Sequence, residues 1–385
     1  MKKIRLLLIS LVITGLLGAC GSDSATKEAF PTPVTNPKAG EIVLTTAGPV
    51  PGTVVKFPED EAPHNNLTEW WYYTGHIITT DGQRYGFEYV TFQALRSILP
   101  PLYAAHFAIT DPNHKVFKVE QTTRVGDKLT SGGSAGFDLM TSLGTMRGLN
   151  GVDYLKATMK KETGQYAIDF VVQETQGVAL HGGGQFTYGP GGNSYYYSRP
   201  RMTPTGTITV DGQTKTVKEG VVWFDHQWGD FIPMGGGWDW FSTQLDDGTS
   251  LMLYQLRDDQ GKLLQVFGSY IPFCQESCQS NKPLKVVDLG LDNIVITPTS
   301  QWVSPQTGTT YPSTWNVKIK ANPQKAIPEL ELNYKPTMPN QELDTRASTA
   351  TIYWEGDTII AGTKNGKPIN GSGYVELTGY SKTYN

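Results

Sequence analysis

The chain has 385 residues, of which 18% are charged, and its formal net charge is -4 at pH 7. This balance argues against nucleic acid as a partner, because binding to a phosphate backbone needs a cationic surface. The low charged fraction excludes a disordered polyelectrolyte, and the length corresponds to roughly two domains. The 42 Gly, 24 Pro and 19 Tyr predict many short strands joined by turns, and therefore an all-β protein.

The first residues have the pattern of a secretory signal. Three basic residues among the first five precede the apolar segment 6–17, which is too short for a membrane-spanning helix of about twenty residues. The segment ends in Leu17-Gly18-Ala19-Cys20, which resembles a bacterial lipobox. The resemblance implies removal of the signal peptide 1–19 and lipidation of Cys20. An ordinary cleavage site that happens to precede a cysteine is the alternative.

The residues after the signal predict a membrane anchor and a tether. Gly21 stands where an Asp would signal retention in the inner membrane, so in a Gram-negative cell the outer membrane is favoured, with the protein facing the periplasm. Several acyl chains anchor a protein stably, whereas a single chain is marginal. Residues 20–45 are rich in Ser, Thr and Pro, which predicts a semi-extended tether. We therefore expect a lipoprotein of the cell envelope.

The remaining cysteines, Cys274 and Cys278, form a C-x3-C pattern in a polar stretch. In an oxidising envelope this pattern favours a small disulfide loop. Metal binding is the alternative, but it would need two further ligands, and no other His or Cys lies nearby in the sequence. The histidines of the chain also lack the H-x-H or H-x3-H spacing of metal sites, so we predict no metal and no organic cofactor.

Strand patterns dominate the rest of the chain. The aromatic run 69–78 leads into Asp81-Gly82, and the run 237–245 leads into Asp247-Gly248. Asp-Gly between two such runs is a strong hairpin signal. The two hairpins are alike, since each begins with a Trp-rich strand, and they lie about one domain length apart. This similarity indicates an internal duplication.

The duplication predicts two antiparallel barrels in succession. A boundary near Pro200 would place the first domain at 46–203 and the second at 204–385. Each half is long enough for about eight strands, the number that closes a small barrel.

Five blocks carry a resemblance to a known family. They are the segments 64–75, 106–111, 194–201, 223–229 and 237–241, which include Glu69-Trp70-Trp71-Tyr72, His106-Phe107-Ala108, Tyr195-Tyr196-Tyr197, Asp225-His226-Gln227-Trp228-Gly229 and Trp238-Asp239-Trp240. Together they resemble the lipocalin-like family of the AttH proteins and the carotenoid 1,2-hydratases, over about residues 60–380. The resemblance implies two consecutive lipocalin-like β-barrels. The family includes enzymes that hydrate isoprenoid double bonds, catalysts of cycloadditions, and envelope lipoproteins, some of them beside ABC-type exporters.

Side-chain alternation divides these blocks between two faces. In a strand over 223–229, Asp225 lies on one face and His226 and Trp228 lie on the other, so Asp225 and His226 cannot both point into one barrel. The resemblance implies that His226 and Trp228 face the substrate. In the same way Trp238 and Trp240 share a face, with Asp239 opposed to them.

Hydration of an alkene needs a proton donor, a held water and aromatic faces that stabilise a carbocation. A carboxylic acid kept protonated in a dry aromatic pocket can be the donor. Asp225 and Asp239 are the candidate catalytic acids, and His226 is the candidate for orienting the water. The candidate substrate-binding residues are Glu69, Trp71, Tyr73, His106, Trp228, Trp238, Trp240 and Tyr254.

Structural roles remain the alternative for these residues, because tryptophans at strand spacing often form a barrel core and buried acids are often hydrogen-bonded. The hydratases also carry an acid soon after the residue that corresponds to Tyr254, whereas here none occurs before Asp258. We therefore favour an AttH-type lipoprotein that binds an apolar lipid or isoprenoid and passes it to an ABC-type exporter. A cofactor-free hydratase or cyclisation catalyst is the first alternative, and a structural or adhesive surface protein is the second.

Overall fold

The structure is a computed structural model that describes residues 45–46, 55–96, 99–126, 136–188, 191–232, 236–274 and 281–381. The predicted signal peptide, Cys20 and Cys278 lie outside the described residues, as does the tether apart from Thr45. Cys274 is disulfide-bonded. Within the described ranges, no helix has the length and apolar character needed to cross a membrane.

The first sheet is built from eleven strands. They are β2 (Thr68–Thr79), β3 (Arg84–Arg96), β4 (Leu99–Asp111), β5 (Val116–Val125), β6 (Phe137–Met140), β7 (Gly144–Leu149), β8 (Val152–Lys161), β9 (Gly164–Glu174), β10 (Ala179–Thr187), β11 (Asn193–Val210) and β12 (Gln213–Gly229). The strand order is β5-β4-β3-β2-β12-β11-β9-β8-β7-β6, and β10 pairs with β11 beside this path.

The second sheet also has eleven strands. They are β1 (Thr45–Thr46), β13 (Gly237–Leu245), β14 (Ser250–Arg257), β15 (Leu263–Ile271), β16 (Val287–Leu289), β17 (Ile294–Val303), β18 (Thr310–Ile319), β19 (Leu330–Pro336), β20 (Glu342–Asp344), β21 (Ile352–Lys364) and β22 (Lys367–Thr378). The order is β1-β15-β14-β13-β22-β21-β19-β18-β17, with β16 on β15 and β20 on β21. The described residues also include 3-10 helices at Glu59–Glu61 and Pro323–Lys325.

The two sheets have corresponding topologies. In each, the Trp-rich strand lies between its hairpin partner and the last strand of the sheet: β2 lies between β3 and β12, and β13 lies between β14 and β22. A short strand also pairs beside the path at the equivalent place, β10 on β11 and β20 on β21. The prediction of an all-β chain with two lipocalin-like antiparallel domains is confirmed.

Both predicted Asp-Gly hairpin turns are present. Gly82 and Gly248 have φ values of 79° and 86°, in the left-handed region that glycine enters without a steric penalty. At Gly248 an added Cβ would also approach the Phe273 ring to 2.2 Å. The turns therefore fix the register of β2 with β3 and of β13 with β14.

The predicted domain boundary at 203/204 falls inside strand β11, so the change from the first sheet to the second comes later, between Gly229 and Gly237. The signal that suggested the boundary was the Pro- and Gly-containing stretch near Pro200. In the structure Pro200 and Pro204 lie where the register of β11 with β12 shifts, at Arg199/Met202 and Met202/Thr207. Because a proline cannot donate a ladder hydrogen bond, it is tolerated in a sheet mainly at such irregularities.

Three large apolar clusters and a fourth, small one stabilise the described part of the fold. One lies inside the first sheet and includes Trp71 and Phe224, and one lies inside the second and includes Trp315. The third lies between the two sheets and includes Tyr72 and Trp240. Neighbouring residues of β2 thus belong to different clusters, so this strand is buried on both faces.

A buried ion cluster ties several segments of the first sheet together. The Arg199 side chain is fully buried and donates to Glu61 and, at 2.8 Å, to Glu174. It also donates to Asn281 Oδ1 at 2.8 Å. These bonds join strand β11 to the 3-10 helix before β2, to β9 and to the segment after the disulfide-bonded Cys274.

We predict that Arg199→Met lowers the free energy of unfolding by about 3–5 kcal/mol, because it leaves Glu61 and Glu174 buried without their cation. The matched control is Arg147→Met, since Arg147 forms an exposed pair with Asp138 and its loss should cost about 1 kcal/mol or less. Urea denaturation of both variants measures the difference. Equal losses would show that burial of the ion cluster contributes nothing.

Candidate functional site

A cavity of about 220 Å³ lies between the two sheets. Strands β2, β3, β11 and β12 of the first sheet and β13, β14, β21 and β22 of the second supply its walls, which are mostly aromatic. The lining residues are Thr68, Trp70, Tyr72, Glu88, Val90, Phe92, Tyr196, Asp225, Gln227, Trp238, Trp240, Tyr254, Tyr353 and Glu376. Side chains alternate between the two faces of a strand, so β2, β3 and β12 each contribute every second residue to the lining of the cavity.

The cavity has a mouth formed by half-buried side chains. Trp70, Phe92, Trp238 and Tyr254 are partly exposed, whereas Asp225 and Trp240 deeper in the cavity are 3% exposed. The partly exposed aromatic rings therefore lie at the outer end of the cavity, and Asp225 and Trp240 lie at its inner end.

Asp225 is the acid at the inner end of the cavity. Its carboxylate accepts hydrogen bonds from the Tyr196 hydroxyl at 2.6 Å, from Trp223 Nε1 at 2.6 Å and from the Ser198 hydroxyl. Burial raises the pKa of Asp225 to about 7 although these three hydrogen bonds lower it. The carboxyl group can therefore hold or release a proton near neutral pH.

Three further acids surround the cavity. Burial raises the pKa of Glu376 to about 7, that of Glu88 to about 8, and that of Glu355 well above its usual value. Each accepts a hydrogen bond from a neutral aromatic donor: Glu376 from Trp238 at 2.9 Å, Glu88 from Tyr353 at 2.8 Å and Glu355 from Tyr72 at 2.7 Å. Each donor stabilises the charged carboxylate and lowers its pKa, so burial is what raises the pKa of these acids and favours their protonated form.

A hydrogen-bonded chain leads from the cavity to the surface. The Tyr353 hydroxyl donates to Glu88 and lies 2.8 Å from His106 Nδ1. Nε2 of His106 lies 2.9 Å from the Ser348 hydroxyl, which donates to Gln121 at 2.7 Å. Gln121 lines a groove of about 480 Å³ that is bordered by exposed side chains. Burial lowers the pKa of His106 to about 3, so the imidazole is neutral at neutral pH.

The structure brings only part of the predicted site together. Asp225, Trp238, Trp240 and Tyr254 line the cavity, and His106 reaches it through Tyr353. Four further residues at the cavity, Glu88, Glu355, Glu376 and Tyr353, were not predicted from the sequence. Of these four, only Glu88 could have been found from the sequence. It alternates with Val90 and Phe92 in the run that follows the first Asp-Gly turn, so the three side chains share one face of the strand.

The three predicted catalytic residues do not form one site. Asp225 faces the cavity, whereas His226 is fully buried in the first sheet because it points to the other face of β12. Asp239 lies opposite Trp238 and Trp240, where it accepts hydrogen bonds from Arg257 and from Tyr380, each at 3.0 Å. The remaining predicted substrate-binding residues, Glu69, Trp71, Tyr73 and Trp228, are likewise buried inside the first sheet.

A second polar cluster occupies that inner face. Glu69 Oε1 lies 2.8 Å from His64 Nδ1 and 2.9 Å from His226 Nε2, and one donor atom of each residue lies within 4.8 Å of the others. Among the described residues, this is the group of His and acidic side chains whose donor atoms are close enough to share a metal ion. Sequence spacing could not reveal it, because His64 and His226 come from opposite ends of the first sheet's sequence.

We predict a pH-dependent stability that depends on Asp225. Its pKa is about 7 in the folded protein against about 4 in an unfolded chain. The folded state holds the proton more tightly, so the stabilisation is complete below about pH 4 and is lost as the pH rises through about 7. In Asp225→Asn, the fall of the unfolding free energy over this interval should be shallower by up to about 1.4 kcal/mol per pH unit. Urea titrations at several pH values measure both slopes, and identical slopes would contradict the prediction.

Comparisons with known proteins agree with this architecture. Among solved structures, a protein assigned as an AttH from Nitrosomonas europaea superposes with a TM-score of 0.68 and 29% identity, over 87% of this chain and 99% of that chain. Kievitone hydratase from Nectria haematococca shares the fold, with a TM-score of 0.62 and 17% identity over 87% and 96% of the two chains. No curated protein matches the sequence at a significant level. The sequence model of the AttH-like family matches residues 48–380, and the chain therefore belongs to that family.

Proposed function

We propose that the protein binds one end of an apolar lipid or isoprenoid in the cavity between its two sheets. The observation that supports this most directly is the aromatic wall of the cavity, with Trp70 and Trp238 at the mouth and Trp240 within. Small-molecule sites are mostly apolar clefts with a few convergent polar groups. The volume of about 220 Å³ is below the roughly 300–1,000 Å³ of drug-sized sites, so a long ligand would extend through the mouth.

In this proposal the protein acts as a lipoprotein of the cell envelope, on the outer membrane and facing the periplasm. The lipobox-like sequence ending at Cys20 supports the anchor, and the Pro-rich segment after it supports a tether. A tethered carrier with an apolar cavity would suit transfer of a lipid to a membrane transporter such as an ABC-type exporter.

A second candidate function is the cofactor-free hydration of an isoprenoid alkene. Asp225 favours it, because a carboxyl group with a pKa of about 7 faces an aromatic cavity. The name of one structural neighbour, kievitone hydratase, denotes the addition of water and supports the same chemistry.

The reaction balances with water as the only co-reactant. The protonated Asp225 transfers its proton to the less substituted alkene carbon, and the π electrons form the new C–H bond and leave a tertiary carbocation. The faces of Trp238 and Trp240 stabilise this cation through their quadrupoles. Water then attacks the cation, and the proton it loses passes to the Asp225 carboxylate, either directly or through Glu376. The product is a tertiary alcohol.

Binding is tested with all-trans-retinol, an isoprenoid alcohol whose fluorescence rises in apolar sites. We expect Trp70→Ala to weaken retinol binding about tenfold, because it removes one aromatic wall of the mouth. The matched control is Trp302→Ala: Trp302 is also partly buried but stacks on Tyr311 within the second sheet, so binding should not change. Absence of retinol binding in the native protein, or equal effects of the two variants, would contradict the proposal.

Catalysis is tested with citronellol, a C10 alcohol with one trisubstituted double bond, in ¹⁸O-labelled water with mass spectrometry of the product. We expect Asp225→Asn to slow hydration on the order of 100-fold or more while retinol still binds, because the amide keeps the shape of the side chain but cannot supply the proton. The matched control is Asp153→Asn. Asp153 is also fully buried and accepts from a tyrosine, and its pKa is also about 7, but it lies in the core of the first sheet. Turnover that survives in Asp225→Asn would exclude this mechanism.

A further inference from the structure

The cluster of His64, Glu69 and His226 has no part in the function proposed for the cavity. It lies on the faces of β2 and β12 that point away from the cavity. There His226 pairs in register with Trp71, and Trp228 pairs with Glu69. His64 reaches it from the segment between the first 3-10 helix and β2. Two strands and a connecting segment thus converge on one point inside the first sheet.

The three side chains offer the donor atoms of a transition-metal site. Two imidazole nitrogens and one carboxylate oxygen lie within 4.8 Å of one another. This donor set is common for Zn²⁺ and for other divalent first-row ions, and three protein donors leave room for a water or an exogenous ligand. We propose that His64 Nδ1, Glu69 and His226 Nε2 bind a divalent transition-metal ion.

The second nitrogen of each imidazole has a partner of its own. His64 Nε2 lies 3.4 Å from Asp60 Oδ1, and His226 Nδ1 lies 3.3 Å from the Tyr197 hydroxyl. Such outer partners are typical of ligating histidines, because they fix which nitrogen is free to bind the metal. The second carboxylate oxygen of Glu69 likewise accepts from Gln93 at 2.9 Å.

Aromatic stacking holds both imidazole rings in place. The His64 ring stacks on Trp228 at 4.1 Å with an interplanar angle of 2°, and the His226 ring stacks on Trp71 at 4.8 Å. Rings that are locked by packing lose little entropy when they bind an ion, so the site is preorganised.

The site has a route to solvent, and negatively charged side chains lie at its entrance and within it. The side chains of Glu69 and His226 are fully buried, but that of His64 is 18% exposed, so an ion can enter on the His64 side. Asp60, which is 26% exposed, lies at the same entrance. Its carboxylate and that of Glu69 attract a cation into the cluster.

The test uses the full-length chain in detergent, purified without a polyhistidine tag and stripped with a chelator. We expect Zn²⁺ to bind with 1:1 stoichiometry in calorimetry and Co²⁺ to produce visible absorption bands at the same stoichiometry. His64→Ala should weaken Zn²⁺ binding on the order of 100-fold, and because His64 is partly exposed this variant should fold. Tyr197→Phe, which removes only the outer hydroxyl on His226, should weaken it about tenfold.

The matched control is His114→Ala. His114 is an exposed histidine 2.7 Å from Asp111, so it tests whether any His–acid pair binds the ion. Its loss should leave Zn²⁺ affinity unchanged. The proposal is overturned if the native protein binds neither Zn²⁺ nor Co²⁺, or if 1:1 binding persists unchanged in His64→Ala.

Discussion

Strand β2 and the second half of β12, residues 222–229, are buried on both faces, and the alternation of their side chains determines the chemistry on each side. Asp225 faces the cavity between the sheets, while its neighbour His226 faces the core of the first sheet. A shift of one residue in the register of β2 with β12 would exchange the two sets of side chains. The cavity and the His64 cluster therefore both depend on the same hydrogen-bonded ladder.

The buried acids fall into two groups according to the side chains that they contact. Glu61 and Glu174 face the Arg199 guanidinium and link segments of the fold. Asp225 and Glu376 instead face phenol and indole donors, and burial raises the pKa of each carboxyl to about 7. A cation compensates a buried negative charge, whereas in the cavity burial outweighs the hydrogen bonds from neutral donors, so these carboxyl groups can keep their protons near neutral pH. Proton chemistry is therefore expected where aromatic residues surround the acids.

The duplicated topology explains why the site lies between the sheets. Each sheet places its Trp-rich strand in the centre, and these strands contribute Tyr72 and Trp240 to the cluster between the two sheets, where the rings meet edge to face at 5.4 Å. The inner faces have diverged: Glu69 in the first sheet meets two histidines, whereas Asp239 in the second meets Arg257 and Tyr380. Only the first arrangement offers imidazole donors, so the inner faces of the two halves differ in the ligand atoms that they present.

The sequence by itself determined what is local: the strands, the two Asp-Gly hairpins, the duplication, and the parity that opposes Asp225 to His226. The strands, the hairpins and the parity follow from backbone geometry and side-chain alternation within a few residues, and the duplication follows because the same local pattern occurs twice. Only the tertiary structure decided which acids meet, because Glu88, Asp225 and Glu376 come from strands that the sheet order and the packing of the two sheets bring together. The same holds for His226, which approaches Glu69 only because the last strand of the first sheet pairs with its first Trp-rich strand, whereas His64 is close to Glu69 in the sequence.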